Sequence, residues 1–105
     1  MIIYQHQITN DHLEKKLDEN KIVILDVRET EEFSSAHIPG AVLIPLGQLA
    51  ERCNELDADE EIYVICRSGG RSNQACHILT ENGFSQVYNV VPGMSEWTGP
   101  IDSVY

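Results

Sequence analysis

Strand-like apolar runs alternating with helix-like segments predict an α/β fold, a mostly parallel central sheet with helices on both faces. Three observations carry this expectation. The runs at 22–27, Asp26 apart, and 62–65 are apolar and largely β-branched, as in strands buried on both sides. Around them lie segments with cap residues and apolar positions at helical spacing. The length of 105 residues and the 42% apolar content suit one domain, 1–105, with a core that needs no disulfide staples.

The elements follow in order. Thr9 or Asn10 caps a short helix through about Leu17, with Ile8, Leu13 and Leu17 near helical spacing. The first buried strand spans 22–27, a helical turn spans 29–34, and His37-Ile38-Pro39-Gly40 forms a turn. A short strand over 41–44 and a helix over 46–53 come next, then an acidic stretch at 57–61 that reads as a solvated loop. The strand at 62–65 runs directly into Cys66-Arg67-Ser68-Gly69-Gly70-Arg71-Ser72. Ser72 is expected to cap a helix through Asn82, with Ala75, Ile78 and Leu79 on one face and Gly83 as its stop. A strand over 86–90, then Pro92-Gly93 and a turn carrying Met94 and Trp97, complete the chain. Ligands of parallel sheets bind beyond the carboxyl ends of strands, where Cys66 falls.

Charge narrows the function. A net charge of −10 disfavours general nucleic-acid binding, which needs a basic face. Beyond Cys53 the basic residues are Arg67 and Arg71, both beside Cys66, so a small anion is expected there. Three cysteines (Cys53, Cys66, Cys76) lack the spacing of a disulfide framework or a metal knuckle, and no metal or other cofactor is expected. The N-terminus does not read as a signal peptide, and no window approaches the ~18 apolar residues of a membrane span. A reducing cytoplasm is the expected location.

The cysteine loop carries the chemistry. A thiol between a strand and a helix N-terminus feels the positive end of the helix dipole, and two guanidinium groups would add to that field. Its pKa should fall below the free value of about 8.5. Gly69 and Gly70 permit positive φ, so backbone N–H groups can turn inward as an anion nest. A nucleophilic Cys66 at the bottom of an anion cradle is the functional reading; an inert buried thiol is the plain one. Four residues separate Cys66 from Arg71. Cysteine-dependent phosphatases use a loop one residue longer, so this cradle suits a sulfur atom better than a phosphoryl group.

Other residues weigh less. Asp26 and Arg28 could support the site, but holding a strand end to a loop is the simpler role. His37, in a Pro-Gly turn, suits a structural hydrogen bond better than general-base work. His6, His12 and His77 share no ligand spacing. Cys76 reads as a core residue or, less simply, a resolving thiol, and Cys53 as a helix end. Met94 and Trp97 suit core packing or the pocket mouth.

With these residues in hand, the sequence resembles the rhodanese (sulfurtransferase) family over nearly its whole length. The resemblance rests on Asp26-Val27-Arg28, Glu31-Glu32-Phe33, His37-Ile38-Pro39-Gly40-Ala41 with Ile44-Pro45-Leu46, the loop from Cys66 to Ser72, and Val87-Tyr88-Asn89-Val90 with Gly93-Met94 and Trp97. It implies a three-layer α/β fold and sulfane-sulfur transfer through a persulfide on Cys66. A donor such as thiosulfate, a polysulfide or a persulfide would release its outer sulfur there. An acceptor such as cyanide, a thiol or a protein sulfur carrier would take it away, and a cysteine desulfurase is a conceivable supplier. Ser68, Gly69, Gly70 and Ser72 would line the cradle with Arg67 and Arg71 attracting the donor. Pro92 departs from the family's frequent Gly-Gly pair and would reshape that rim. Phosphatase or arsenate-reductase chemistry, and a non-catalytic binding module, remain alternatives.

Overall fold

The structure is a computed structural model, and it describes residues 2–19 and 21–104. The chain forms β1 (Gln7–Thr9), α1 (Asn10–Lys16), β2 (Ile22–Asp26), α2 (Thr30–Ser35), β3 (Val42–Leu43), α3 (Leu46–Arg52), β4 (Glu61–Ile65), α4 (Gly70–Glu81) and β5 (Val87–Val91), with single 3-10 turns at Cys53–Glu55 and Met94–Glu96. Every pairing in the five-stranded sheet is parallel, in the order β1-β5-β4-β2-β3.

Side-chain alternation along the central strands divides the core between two faces. Leu25, Ile62 and Val64 pack with Leu49, Ala75 and Leu79, so α3 and α4 cover one face. Ile24, Tyr63, Ile65 and Val90 pack with Leu13, so α1 covers the other. The predicted α/β layering is therefore the observed one. Thr9 caps α1, its Oγ1 accepting from the His12 N–H at 3.1 Å. At the far end of α4 the Gly83 and Phe84 N–H groups donate to Thr80 and Leu79 carbonyls, closing the helix while Phe84 enters the core.

Two differences from the sequence reading matter. β1 was not foreseen: three residues are too few to show alternation, and the strand exists through its pairing with β5. The second concerns the start of α4. It begins at Gly70, with Gly69 as the N-cap residue, and not after Ser72. Gly69 takes φ 98°, whereas Gly70 enters the helix as its first residue. Ser72 thus lies inside the first turn, and its hydroxyl is free for another task.

Parallel strands bring their carboxyl ends to one edge, which positions the site. β4 delivers Cys66, β2 delivers Asp26 to Arg28, and β5 delivers Pro92 and Gly93. The β5 segment is pinned under the loop. Met94 N–H donates to the Cys66 carbonyl at 2.8 Å and Ser95 N–H to the Arg67 carbonyl at 2.9 Å. Buried Asn10 holds Gly93 from behind, donating to its carbonyl at 2.9 Å and accepting its N–H at 3.0 Å. Gly93 has φ 107°, and a Cβ there would stand 2.5 Å from the Cys66 carbonyl oxygen. Gly93→Ala should therefore lower stability by about 2 kcal/mol or more in chemical denaturation. An unchanged denaturation midpoint would contradict this close packing.

Candidate active site

The loop leaving β4 folds back so that its own backbone faces the cysteine. Cys66 is 1% exposed, with the Gly69 N–H 3.1 Å and the Ser72 N–H 3.3 Å from Sγ. Ser72 Oγ lies 3.3 Å from the same sulfur. Burial alone would push the thiol pKa up. The Ser72 hydroxyl and the N–H groups of Ser72, Gly69 and Ser68 more than offset it, and the pKa falls below the ordinary 9.0. The sequence points to the helix dipole and two guanidinium groups as the source of this shift. The structure places hydrogen bonds first.

The cradle is itself held from outside. The Gly69 carbonyl accepts from Asn73 N–H at 3.0 Å and, more weakly, from Asn89 Nδ2 at 3.4 Å. Asn73 and Asn89 are both buried, and Asn89 Oδ1 has no hydrogen-bond partner among the described residues. Asn89 and Asn10 serve distant backbone groups through their side chains, whereas the Asn73 N–H makes the first main-chain bond of α4. A buried asparagine in a strand or helix gives no local signal of the distant carbonyl it serves.

The arginines divide into three situations. Arg28 is buried and forks onto buried Asp26, with Nη2 2.8 Å from Oδ2 and Nε 3.0 Å from Oδ1, while Nη2 also donates to the Ala36 carbonyl at 2.7 Å. This clamp ties the end of β2 to the end of α2. Arg71 does not face the cradle alone. Its two terminal nitrogens grip Glu32 of α2 at 2.7 and 2.9 Å. Glu32 also accepts the Glu29 N–H at 2.9 Å. The Arg71 bonds are the leading cause holding the Glu32 carboxyl down at about 2, although partial burial opposes them. Arg67 is exposed and forms no ion pair among the described residues.

Remaining candidates lie outside the cradle. His37 Nδ1 lies 2.7 Å from the Phe33 carbonyl, and its ring stacks on Phe33. Cys76 is fully buried on α4, and burial pushes its thiol well up, against reactivity. Cys53 is also buried. Met94 and Trp97 are half-buried against the α1-side core, and Met94 also lines a cleft of about 370 Å³ shared with Arg67, Arg28, Glu32 and Ser95. A more apolar groove lined by Leu17, Ile22, Ile24 and Pro100 lacks the cradle residues.

A cysteine beyond a parallel strand, its sulfur facing N–H groups at a helix start, is an arrangement that can stabilise a sulfur anion. Comparison with known proteins makes the class specific: residues 9–100 match the Rhodanese-like domain, and the chain belongs to that family. It is 37% identical to the thiosulfate sulfurtransferase GlpE of Pseudomonas syringae pv. syringae, over 77% of this chain and 76% of that one. It is 50% identical to the Bacillus subtilis protein named "Putative sulfur carrier protein YrkF", over 89% of this chain, and spans 51% of that protein's length. The crystal structure of a rhodanese-like domain protein from Staphylococcus aureus superposes with a TM-score of 0.87 at 35% identity, covering 94% of this chain and 98% of that one.

Two outcomes follow from this geometry. Ser72→Ala removes one hydrogen-bond partner of the sulfur and should raise the Cys66 pKa. The rate of alkylation by iodoacetamide against pH reads this directly, and an unmoved midpoint would remove the hydroxyl from the account. Asp26→Ala leaves the buried Arg28 guanidinium without its carboxylate and should cost about 3–5 kcal/mol in urea denaturation. Wild-type stability in that variant would mean the pair has no structural weight.

Proposed function

We propose that residues 1–105 act as one sulfurtransferase domain with Cys66 as the nucleophile that carries sulfane sulfur as a persulfide. The observation that carries this reading is the cluster of N–H donors around a nearly inaccessible Sγ, which lowers the thiol pKa. Membership of the rhodanese-like family and the thiosulfate sulfurtransferase named among the relatives support it.

The Cys66 thiolate attacks the outer sulfur of a donor such as thiosulfate. The new Sγ–S bond forms as the donor's S–S bond breaks, and sulfite leaves with the electron pair. An acceptor such as cyanide or a thiol then attacks the terminal sulfur and restores the thiolate. Ser68, Gly69 and Ser72 stabilise the sulfur anions by hydrogen bonding, and Gly70 starts the helix that supplies the last of these donors. Arg67 draws the anionic donor to the mouth, and Asp26 and Arg28 keep the edge of the site in place. A protein sulfur carrier as acceptor, or a cysteine desulfurase as supplier, is compatible with this chemistry. Free thiols suit a reducing compartment, the cytoplasm. No described helix is long and apolar enough to cross a membrane.

Intact-mass measurement after incubation with thiosulfate tests the proposal. Wild type should gain one sulfur atom, which cyanide removes, and Cys66→Ser should gain none. An unmodified wild type, or an equal gain in the variant, would overturn it.

A further inference from the structure

The charges at the mouth bear on which donor the site accepts. Three arginines, Arg28, Arg67 and Arg71, follow the carboxyl ends of β2 and β4 at this edge of the sheet, and two are already matched: Arg28 by Asp26 and Arg71 by Glu32. Glu32 is not a passing contact. Arg71 meets both of its oxygens, and the Glu29 N–H fixes it from its own helix. Arg67 is the cation at this mouth without a carboxylate among the described residues.

From this arrangement we infer that Glu32 sets the charge class of the donor, favouring a singly charged organic persulfide over the thiosulfate dianion by keeping Arg71 matched. The inference rests on the sulfurtransferase reading above and names its substrate class. One uncompensated cation balances one negative charge. A dianion would carry a second charge into a mouth on a strongly acidic protein, with an ionised carboxylate already beside it. Space agrees with charge. Beside Arg67 and Glu32 an open cleft of about 370 Å³, also lined by Ala36 and Met94, can seat the organic part of such a donor.

The step balances without an added oxidant. The Cys66 thiolate attacks the outer sulfur of R–S–S⁻, and a new S–S bond forms as the donor's own breaks. R–S⁻ leaves with the electron pair, and the persulfide remains on Cys66. The total charge is the same on both sides.

Glu32→Gln is the informative variant, because the amide still accepts the Glu29 N–H while the negative charge is lost. Exposing one more cation acts on a dianion about twice as strongly, in free energy, as on a monoanion. Steady-state kcat/KM is measured for thiosulfate and for 2-hydroxyethyl persulfide, whose single charge lies on its sulfur, with cyanide as acceptor and the uncatalysed rate subtracted. Wild type should prefer the persulfide. In Glu32→Gln the thiosulfate value should rise about tenfold and the persulfide value about threefold, and added salt should erase most of this difference. A purely structural role for Glu32 would produce no such salt dependence. A wild type that prefers thiosulfate, or a donor ratio unchanged by the substitution, overturns the inference while leaving sulfur transfer intact. If neither donor places a sulfur on Cys66, the sulfurtransferase reading fails and this inference fails with it.

Discussion

Any negative charge on a sulfur that is 1% exposed has to be solvated by the protein itself, and the rest of the architecture follows from that requirement. Water is replaced by the N–H groups of Ser68, Gly69 and Ser72 and by one hydroxyl. Backbone donors can converge on one atom only if the chain reverses tightly, and Gly69 at φ 98° makes the reversal as it opens α4. The same helix start that gives donors to the sulfur leaves the Gly69 carbonyl pointing away, where Asn73 and Asn89 receive it. The cradle therefore stands on the Asn73 main chain of α4, on the Asn89 side chain of β5, and on the main-chain bonds from Met94 and Ser95 beneath it.

This dependence explains what the sequence revealed. The two buried strands were legible because uninterrupted β-branched runs fit a strand covered on both faces and little else. The cysteine loop was legible because its glycines, its cationic neighbours and its place after a strand pointed to the same chemistry. What stayed hidden was long-range partnership. Ser72 carries a good cap side chain, so local chemistry favoured it as the helix start, yet tertiary placement made Gly69 the cap and left Ser72 facing the sulfur. Arg71 has its ion-pair partner, Glu32, 39 residues away, so the sequence alone sets Arg71 beside Cys66 and says nothing of that pair. Asn10 read as a possible cap, but its side chain is spent on the backbone of Gly93.

The electrostatics change character accordingly. An acidic chain with its last arginines beside one cysteine suggests a positive socket. In the folded protein two of the three mouth arginines are matched by carboxylates, and the Cys66 pKa is lowered chiefly by hydrogen bonds working against burial. Dipoles do the work that net charge was expected to do.

That substitution has a mechanistic consequence. Backbone N–H groups carry no titratable proton, so the cradle's stabilising power does not change across the pH range in which the thiol itself ionises. Under the proposed function, a sulfur atom held by fixed donors alternates between thiolate and persulfide while the donors around it keep their places. Selection among donors can then be assigned to the rim, where Arg67, Arg71 and Glu32 meet solvent, without altering the centre that holds the sulfur.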